Sequence, residues 1–332
     1  LHTHVVISNK VKTSQDGRWR SLDGRPLHAA VVALSEHYNA VLADRMTRTF
    51  GIEWEQRSRG KDRTPAWELT PVREDLIREF SSRSRAIDLE KDRLIEQYVA
   101  ERGRRPSSAE IIRLRARATL TTRPEKQIRS LSDLTDEWRG RAEAILGTGA
   151  AAWASRITRR DVARPTLRAD DIPLDVIEGV GVQVVGVVSE KRSTWRHWNL
   201  WAEASRQTMG WRFASSEDRE AVVAIIVDAA KSQSLPLTPP ELAVSPGVFR
   251  RDDGTTVFRP RHSVVFTSAE LLAAEDRLLR RAEATDAPLL DLDVLEQVTS
   301  TGDRGHLLSS EQSQALARIA VSGRQVDLLV GP

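Results

Sequence analysis

The chain has 332 residues, of which 40% are hydrophobic and 29% charged, and its formal net charge is +3. This length and composition predict a globular protein with two domains, or one large domain with an extension. The absence of cysteine excludes a disulfide framework, thiolate catalysis and a zinc-finger type of site. No apolar run approaches the roughly 20 residues of a membrane span, and no signal peptide is indicated, so we expect a cytoplasmic protein.

The first segment, LHTHVVISNK, predicts a buried strand with two histidines on one face. Side chains alternate faces along a strand, so His2 and His4 point the same way and two imidazoles could hold one ion. A usable metal site normally has three protein ligands, and a histidine beside apolar residues is more often structural. From the spacing alone, both interpretations stay open.

The next part predicts a turn-rich segment followed by helices. Asp16-Gly17 and Asp23-Gly24 favour tight turns, and apolar residues have helical spacing from about residue 27 to 50. Alternation around a basic loop predicts a hairpin over 51–70. Ser107 and Glu110 have the spacing of a capping box. We predict helices over 71–84, 87–102, 107–120 and 132–146.

The middle of the chain is predicted to be mostly helical. A run of small residues over 147–152 is taken as a domain boundary, and helical spacing returns over 170–232 with breaks near Gly210 and Ser215. Four prolines over 236–246 predict a linker. A hairpin is expected around Asp253-Gly254, followed by a helix over 267–284.

The last segment predicts a capped helix over 309–322 and a short apolar strand over 326–330 that leads to Gly331. A strand followed by a glycine loop and a helix is how a phosphate-binding loop begins. The chain starts within a strand pattern and ends within an apolar one. We therefore expect an internal piece of a longer protein.

Four separated segments carry a resemblance to a known family. The segments LHTHVVISN, DGRWRSLDGRPL, EFSSRS and LTTRPEK resemble the relaxase domain of MobF-type (TrwC/TraI-type) conjugative relaxases, of the HUH endonuclease class. The tail, LSSEQSQALARIAVSGRQVDLLVGP, is similar to the entry of the ATPase and helicase domain that these proteins carry.

The resemblance implies an α+β fold in three parts. Residues 1–147 would form the C-terminal part of a relaxase domain, with a partial antiparallel sheet followed by helices. Residues 148–286 would form a mostly helical connecting region with a hairpin near 248–260. Residues 287–332 would form the truncated start of an α/β P-loop helicase domain.

The function implied by the resemblance is nicking of single-stranded DNA at a transfer origin, by metal-assisted transesterification to tyrosine, fused to ATP-dependent unwinding. The implied cofactors are a divalent metal, magnesium or manganese, and ATP with magnesium. The implied partners are single-stranded origin DNA and accessory and secretion proteins of conjugation, in a bacterial cytoplasm. The residues that match the family are His2 and His4 as metal ligands, Asn9 closing the motif, Arg123 and Lys126 at the DNA, and Gln312 and Gly331 at the nucleotide.

The chain also departs from the family. In the family, the third histidine and the nucleophilic tyrosines lie upstream of the segment that matches His2. Tyr38 and Tyr98 are interpreted as packing residues, and the lysine of the phosphate-binding loop would follow Pro332. We therefore expect this chain by itself neither to cleave DNA nor to bind nucleotide.

Two other functions stay open from the sequence. The first is a non-catalytic module that binds single-stranded DNA, and the second is a metal-dependent hydrolase of unrelated fold, which would need a third ligand near His2 and His4.

Three tryptophans lie three positions apart among cationic residues, at Trp195, Trp198 and Trp201. This spacing suits base stacking but is more typical of core packing.

Overall fold

The computed structural model of the protein describes residues 5–14, 16–58, 65–125, 128–158, 164–301 and 308–330, without the side chains of residues 298, 300 and 301. His2, His4, Lys126 and Gly331 lie outside the described residues. The described residues are mostly helical, with short antiparallel pairs of strands, which places the fold broadly in the α+β class.

Three two-stranded antiparallel sheets occur in the described part of the chain. The strands β1 (Lys10–Lys12) and β2 (Trp19–Ser21) form a hairpin with Lys12 opposite Trp19. The strands β3 (Trp54–Arg57) and β4 (Ala66–Leu69) form a second, with Trp54 opposite Leu69. The two-residue strands β5 (Leu235–Pro236) and β6 (Phe266–Thr267) form the third.

Twelve α-helices occur within the described ranges. They are α1 (Arg25–Phe50), α2 (Glu74–Phe80), α3 (Ser82–Arg102), α4 (Ser108–Thr121), α5 (Leu131–Leu146), α6 (Ala150–Ile157), α7 (Leu174–Lys191), α8 (His197–Gln207), α9 (Ser216–Ser232), α10 (Ala269–Glu283), α11 (Leu292–Thr301) and α12 (Ser310–Ala320).

Most predicted elements are present, because their signals are local. The Ser107–Glu110 capping box forms, with Glu110 Oε2 accepting from the Ser107 N–H at 2.7 Å. Helix α5 ends at Gly147, whose φ of 63° closes the helix in the left-handed conformation. The turn at Asp253-Gly254 forms as well, with Gly254 at a φ of 76° and a bridge between Arg250 and Thr256.

One predicted helix boundary is wrong, because the break between α2 and α3 lies at Ser81 instead of at residues 84–87. Helix α6 begins at Ala150, within the small-residue run over 147–152. Helix α11 was not predicted. The chain is also extended before His197, so the helical spacing over 170–232 is interrupted there as well as at Gly210 and Ser215.

Two predicted strands do not form in the described part of the chain. Residues 5–8 have no regular secondary structure, and Val5, Val6 and Ile7 are exposed. Residues 326–330 also lack it, with Leu328 and Val330 exposed. A strand needs a neighbour to satisfy its backbone N–H and C=O groups, and the described residues supply none to either segment. The order of strand and loop that would mark a P-loop is therefore not observed.

The residues of the chain cluster into two compact units. One contains Leu1–His37, Asp170–Gln207 and Glu220–Pro332, and the other contains Tyr38–Ala169 and Thr208–Arg219.

The unit of residues 38–169 and 208–219 has a core against one face of α1. Ala40 and Ala43 are fully buried there beside Met209, and Trp54 and Trp67 of the second hairpin pack onto them. Gly210 is required at this contact, because a Cβ at that position would lie 2.9 Å from the Trp67 ring. Helices α3 and α4 pack as a pair, with Arg115 bonded to Asp88 at 2.7 Å.

The unit of residues 1–37, 170–207 and 220–332 has its core on α7, α8 and α9. Val184, Leu200 and Ile226 are fully buried in this unit. Helices α7 and α9 approach closely at Gly181, where a Cβ would lie 2.9 Å from the Cβ of Ala229. A glycine is needed at this crossing because any side chain would push the two backbones apart.

Candidate functional site

The predicted metal ligands, His2 and His4, lie outside the described residues, so the structure does not test them. Asn9 is described and exposed, and its carbonyl accepts from the Leu22 N–H at 2.8 Å, next to the β1–β2 pair. Among the described residues there is no group of three or more histidine, aspartate or glutamate side chains that could hold a metal ion.

The hairpin that follows Asn9 is held by a network at its turn. Gly17 has a φ of 67°, and its N–H donates to the Thr13 carbonyl at 3.0 Å. The Asp16 carboxylate accepts from both terminal nitrogens of Arg20, at 2.9 and 2.6 Å, and from the Arg18 N–H at 3.1 Å. These bonds, chiefly that from Arg20, hold the pKa of Asp16 well below its usual range.

The hairpin turn therefore confirms the Asp-Gly signal in the sequence. It places β1 and β2 side by side with a fixed register. A shallow hollow on this hairpin is lined by Lys10, Trp19, Arg20 and Ser21.

The two predicted DNA-binding residues follow helix α4. Arg123 is exposed, and its backbone N–H donates to the Leu120 carbonyl at 3.2 Å, whereas Lys126 is outside the described residues. The turn before Arg123 is anchored to α3, because Arg83 donates to the carbonyls of Thr119, at 2.7 Å, and Thr122. This anchoring fixes the backbone from which Arg123 extends.

The surroundings of Tyr98 disfavour a role as a nucleophile. Tyr98 donates to the Glu110 carboxylate of the α4 capping box, and the guanidinium carbons of Arg102 and Arg104 lie 5.3 Å from its ring centroid. The hydrogen bond to Glu110 raises the pKa of Tyr98 and so disfavours the phenolate. Tyr38 lies on α1 with 48% of its surface exposed.

The tryptophans at 195, 198 and 201 do not share one helical face, because α8 begins only at His197. Trp195 is fully buried, and its Nε1 donates to the Ser234 hydroxyl at 3.1 Å. Trp198 and Trp201 are half-buried, with their ring centroids 6.2 Å apart. The prediction of packing is therefore confirmed for Trp195.

A histidine pair that the sequence analysis missed lies against these rings. His197 stacks on His262 with centroids 3.9 Å apart and an angle of 16°, and the edge of Trp198 meets His197 at 4.7 Å. The buried His197 Nδ1 has no hydrogen-bond partner among the described residues. Burial, followed by the charge of His262, lowers the pKa of His197 to about 3.

The second missed feature is a buried ion pair in the unit of residues 38–169 and 208–219. Asp44 and Arg219 are fully buried and bonded twice, with Nε to Oδ2 at 2.6 Å and Nη2 to Oδ1 at 2.8 Å. The available sequence signal was an aspartate on the buried face of α1, between Ala43 and Thr47. Its partner lies 175 positions away and has no local signal.

The two predicted nucleotide-binding residues lie at the end of the chain. Gln312 completes a capping box with Ser309: the Ser309 N–H donates to Gln312 Oε1 at 2.9 Å, and the Gln312 N–H donates to the Ser309 hydroxyl at 3.2 Å. The capping role derived from the spacing is confirmed. Gly331 lies outside the described residues.

None of the helices in the described part of the chain is long and apolar enough to cross a membrane.

Comparison with known families found a match for the N-terminal part of the chain. Residues 1–145 match the family model described as TrwC relaxase. The matched range contains His2, His4, Asn9, Arg123 and the β1–β2 hairpin. A comparison with curated proteins found no match, and a comparison with solved structures found none.

Proposed function

We propose that the chain is part of a conjugative DNA relaxase that nicks single-stranded DNA at a transfer origin and carries an ATP-dependent helicase after the relaxase domain. The match of residues 1–145 to the TrwC relaxase family model carries the proposal. Relaxases of this class act on DNA in the bacterial cytoplasm, with accessory and secretion proteins of conjugation as partners. We place the relaxase part over 1–147, the connecting region over 148–286 and the start of the helicase part over 287–332.

In the proposed relaxase part, His2 and His4 hold a divalent cation, magnesium or manganese, and Asn9 closes the motif. Neutral imidazoles leave most of the ion's positive charge available, and such an ion polarises a phosphate when it is bound. Exposed Arg123, with Lys126, contacts the DNA phosphates from the turn that Arg83 anchors.

By the family resemblance, the proposed nucleophile is a tyrosine other than Tyr98 and Tyr38. The Tyr98 hydroxyl is bonded to Glu110 and its pKa is raised, which opposes the deprotonation that attack on phosphorus requires. By this proposal the 332-residue chain binds DNA without cleaving it.

The proposal of a helicase part rests on the resemblance of the tail to a helicase entry and is supported by the capped helix α12 that begins after Ser309. Gln312 would contact adenine and Gly331 would begin the phosphate-binding loop, with ATP and magnesium as cofactors.

The test is a calorimetric titration with manganese of the chain extended upstream to include the family's third histidine and tyrosines. The His2→Ala, His4→Ala double variant should lose binding. The matched variant His28→Ala should keep it, because His28 lies exposed on α1. Equal binding by all three chains, or binding by none, contradicts the metal centre.

The alternative function, a non-catalytic module for single-stranded DNA, is separated from the first by cleavage. A labelled single-stranded origin oligonucleotide should be cut by the extended chain in the presence of manganese, with the protein covalently attached to one of the two DNA products. Binding without cleavage would favour the alternative.

A further inference from the structure

The β1–β2 hairpin presents an exposed tryptophan between lysines on one face. Residues directly opposite each other in an antiparallel pair share a face, and the register sets Lys12 opposite Trp19 and Lys10 opposite Ser21. These four side chains therefore lie on one side of the hairpin. Val11 and Arg20, which are opposite each other, occupy the register position of the other side, and Arg20 also reaches the hollow that Lys10, Trp19 and Ser21 line. We call the first side the Trp19 face.

Trp19 is the exposed aromatic residue of this face, with 68% of its surface open to solvent. By contrast, Trp195 is only 1% exposed and contributes to a core. An exposed indole ring on a hydrogen-bonded hairpin loses little conformational freedom when another aromatic ring stacks on it.

The charge of the Trp19 face is positive. Lys10 and Lys12 point to the same side with Cα atoms about 7 Å apart along the strand, and neither forms an ion pair with another described residue. The acid nearest in sequence, Asp16, is engaged by Arg20 through two hydrogen bonds and by the backbone of the turn. Asp16 therefore stiffens the turn and leaves both lysine charges available.

The Trp19 face combines the two groups that bind single strands without reading their sequence. An indole ring can stack on any base, and ammonium groups on either side can contact the phosphates that flank it. The hydroxyl of Ser21, which lines the hollow beside Trp19, adds a hydrogen-bonding group. A paired duplex has no free base face to offer the ring.

We propose that the Trp19 face binds single-stranded DNA, with Trp19 stacked on one base and Lys10 and Lys12 on neighbouring phosphates. The inference rests on the proposed function, because that function supplies the single strand. It needs no metal ion, and it can therefore fail or succeed independently of the metal centre.

The experiment measures fluorescence anisotropy of a labelled oligothymidylate of about 12 nucleotides, within the span that such proteins cover, bound by the 332-residue chain in EDTA. Trp19→Ala should raise Kd about 5- to 150-fold, the effect of losing one stacked base, and Trp19→Phe should restore most of the affinity. Phe258→Ala is the matched control, because Phe258 is also 68% exposed and has Arg259 as a neighbour. It should leave Kd unchanged.

The lysines are tested by the dependence of binding on salt. Replacing Lys10 and Lys12 by glutamine should reduce the slope of log K against log salt by about 1.4, because two phosphate contacts to a single strand are lost. The control, Arg277→Gln with Arg281→Gln on exposed positions of α10, removes the same charge and should leave the slope unchanged.

Three results would overturn the inference: no binding by the unaltered chain, an unchanged Kd for Trp19→Ala, or an equal loss of affinity for duplex DNA. Because Trp19 is exposed, its replacement should leave the midpoint of thermal unfolding, followed by circular dichroism, essentially unchanged. The manganese titration tests the proposed function separately, so an unchanged Kd for Trp19→Ala would contradict this inference without contradicting the proposed function.

Discussion

Replacement of Arg219 by methionine should destabilise the unit of residues 38–169 and 208–219 by about 3 to 5 kcal/mol, the cost of breaking a buried ion pair. Arg219 donates twice to Asp44 and once each to the carbonyls of Trp211, at 2.7 Å, and Thr208, at 3.2 Å. Methionine removes these bonds and a longer one, of 3.5 Å, to the Thr208 hydroxyl. It also removes the guanidinium that lies 4.7 Å from the Phe213 ring centroid.

The larger part of this cost comes from the partner that remains. Without Arg219, the Phe213 N–H, at 3.2 Å, is the one hydrogen bond to the buried Asp44 carboxylate that remains within the described residues, although the charge of Arg212 still interacts with it. A buried charge without its partner loses hydration and gains little in return. Replacing both residues by apolar ones of similar size removes that charge, so Asp44→Leu with Arg219→Met should recover at least half of the loss.

The assay is urea unfolding followed by circular dichroism, together with hydrogen exchange of the peptides that contain residues 38–50 and 208–219. The matched control is Arg280→Met, which breaks the exposed pair with Asp276 and should cost less than about 1 kcal/mol. A loss below about 1 kcal/mol for Arg219→Met, or a double variant no more stable than that single one, would refute the reasoning. The first outcome would mean that water or other groups replace the ion pair in the folded unit, and the second would mean that the unpaired Asp44 charge is not the main cause of the loss.

Three further predictions concern other parts of the chain. Gly181→Ala should lower the free energy of unfolding by about 1 to 3 kcal/mol through overpacking, because its Cβ would lie 2.9 Å from that of Ala229. The control, Gly186→Ala on the same helix, places a Cβ with no atom within 4 Å and should be neutral or stabilising in thermal unfolding. His197 has a pKa of about 3 in the folded chain, below its ordinary value. Because the unfolded state therefore binds a proton that the folded state does not, the free energy of unfolding should fall by about 2 kcal/mol from pH 7 to 5. In urea unfolding at each pH, His197→Phe should flatten this decline, and an unchanged decline would contradict the lowered pKa of His197. Ser107→Ala should destabilise the start of α4 by about 1 kcal/mol, measured as faster amide exchange in residues 108–112, while Ser108→Ala, one position inside the helix, should not.

The sequence by itself determined the features that depend on neighbours within about four positions. The capping boxes at Ser107 and Ser309, the Asp16-Gly17 turn and the helix from Arg25 to Phe50 all follow from spacing, because their hydrogen bonds close over three or four residues. The four segments that resemble a relaxase also indicated the family whose model matches residues 1–145.

Only the tertiary structure decided which residues meet across long separations. The spacing of Trp195, Trp198 and Trp201 suggested one helical face, but the chain is extended at Trp195 and buries that ring against Ser234. Apolar residues predicted strands in the segment LHTHVVISNK and over 326–330, yet the described residues 5–8 and 326–330 form none, because a strand forms only where a neighbour accepts its hydrogen bonds. Asp44 forms an ion pair with Arg219, which lies 175 positions farther along the sequence. Local spacing cannot encode such pairs, because burial and partner choice depend on how distant segments pack.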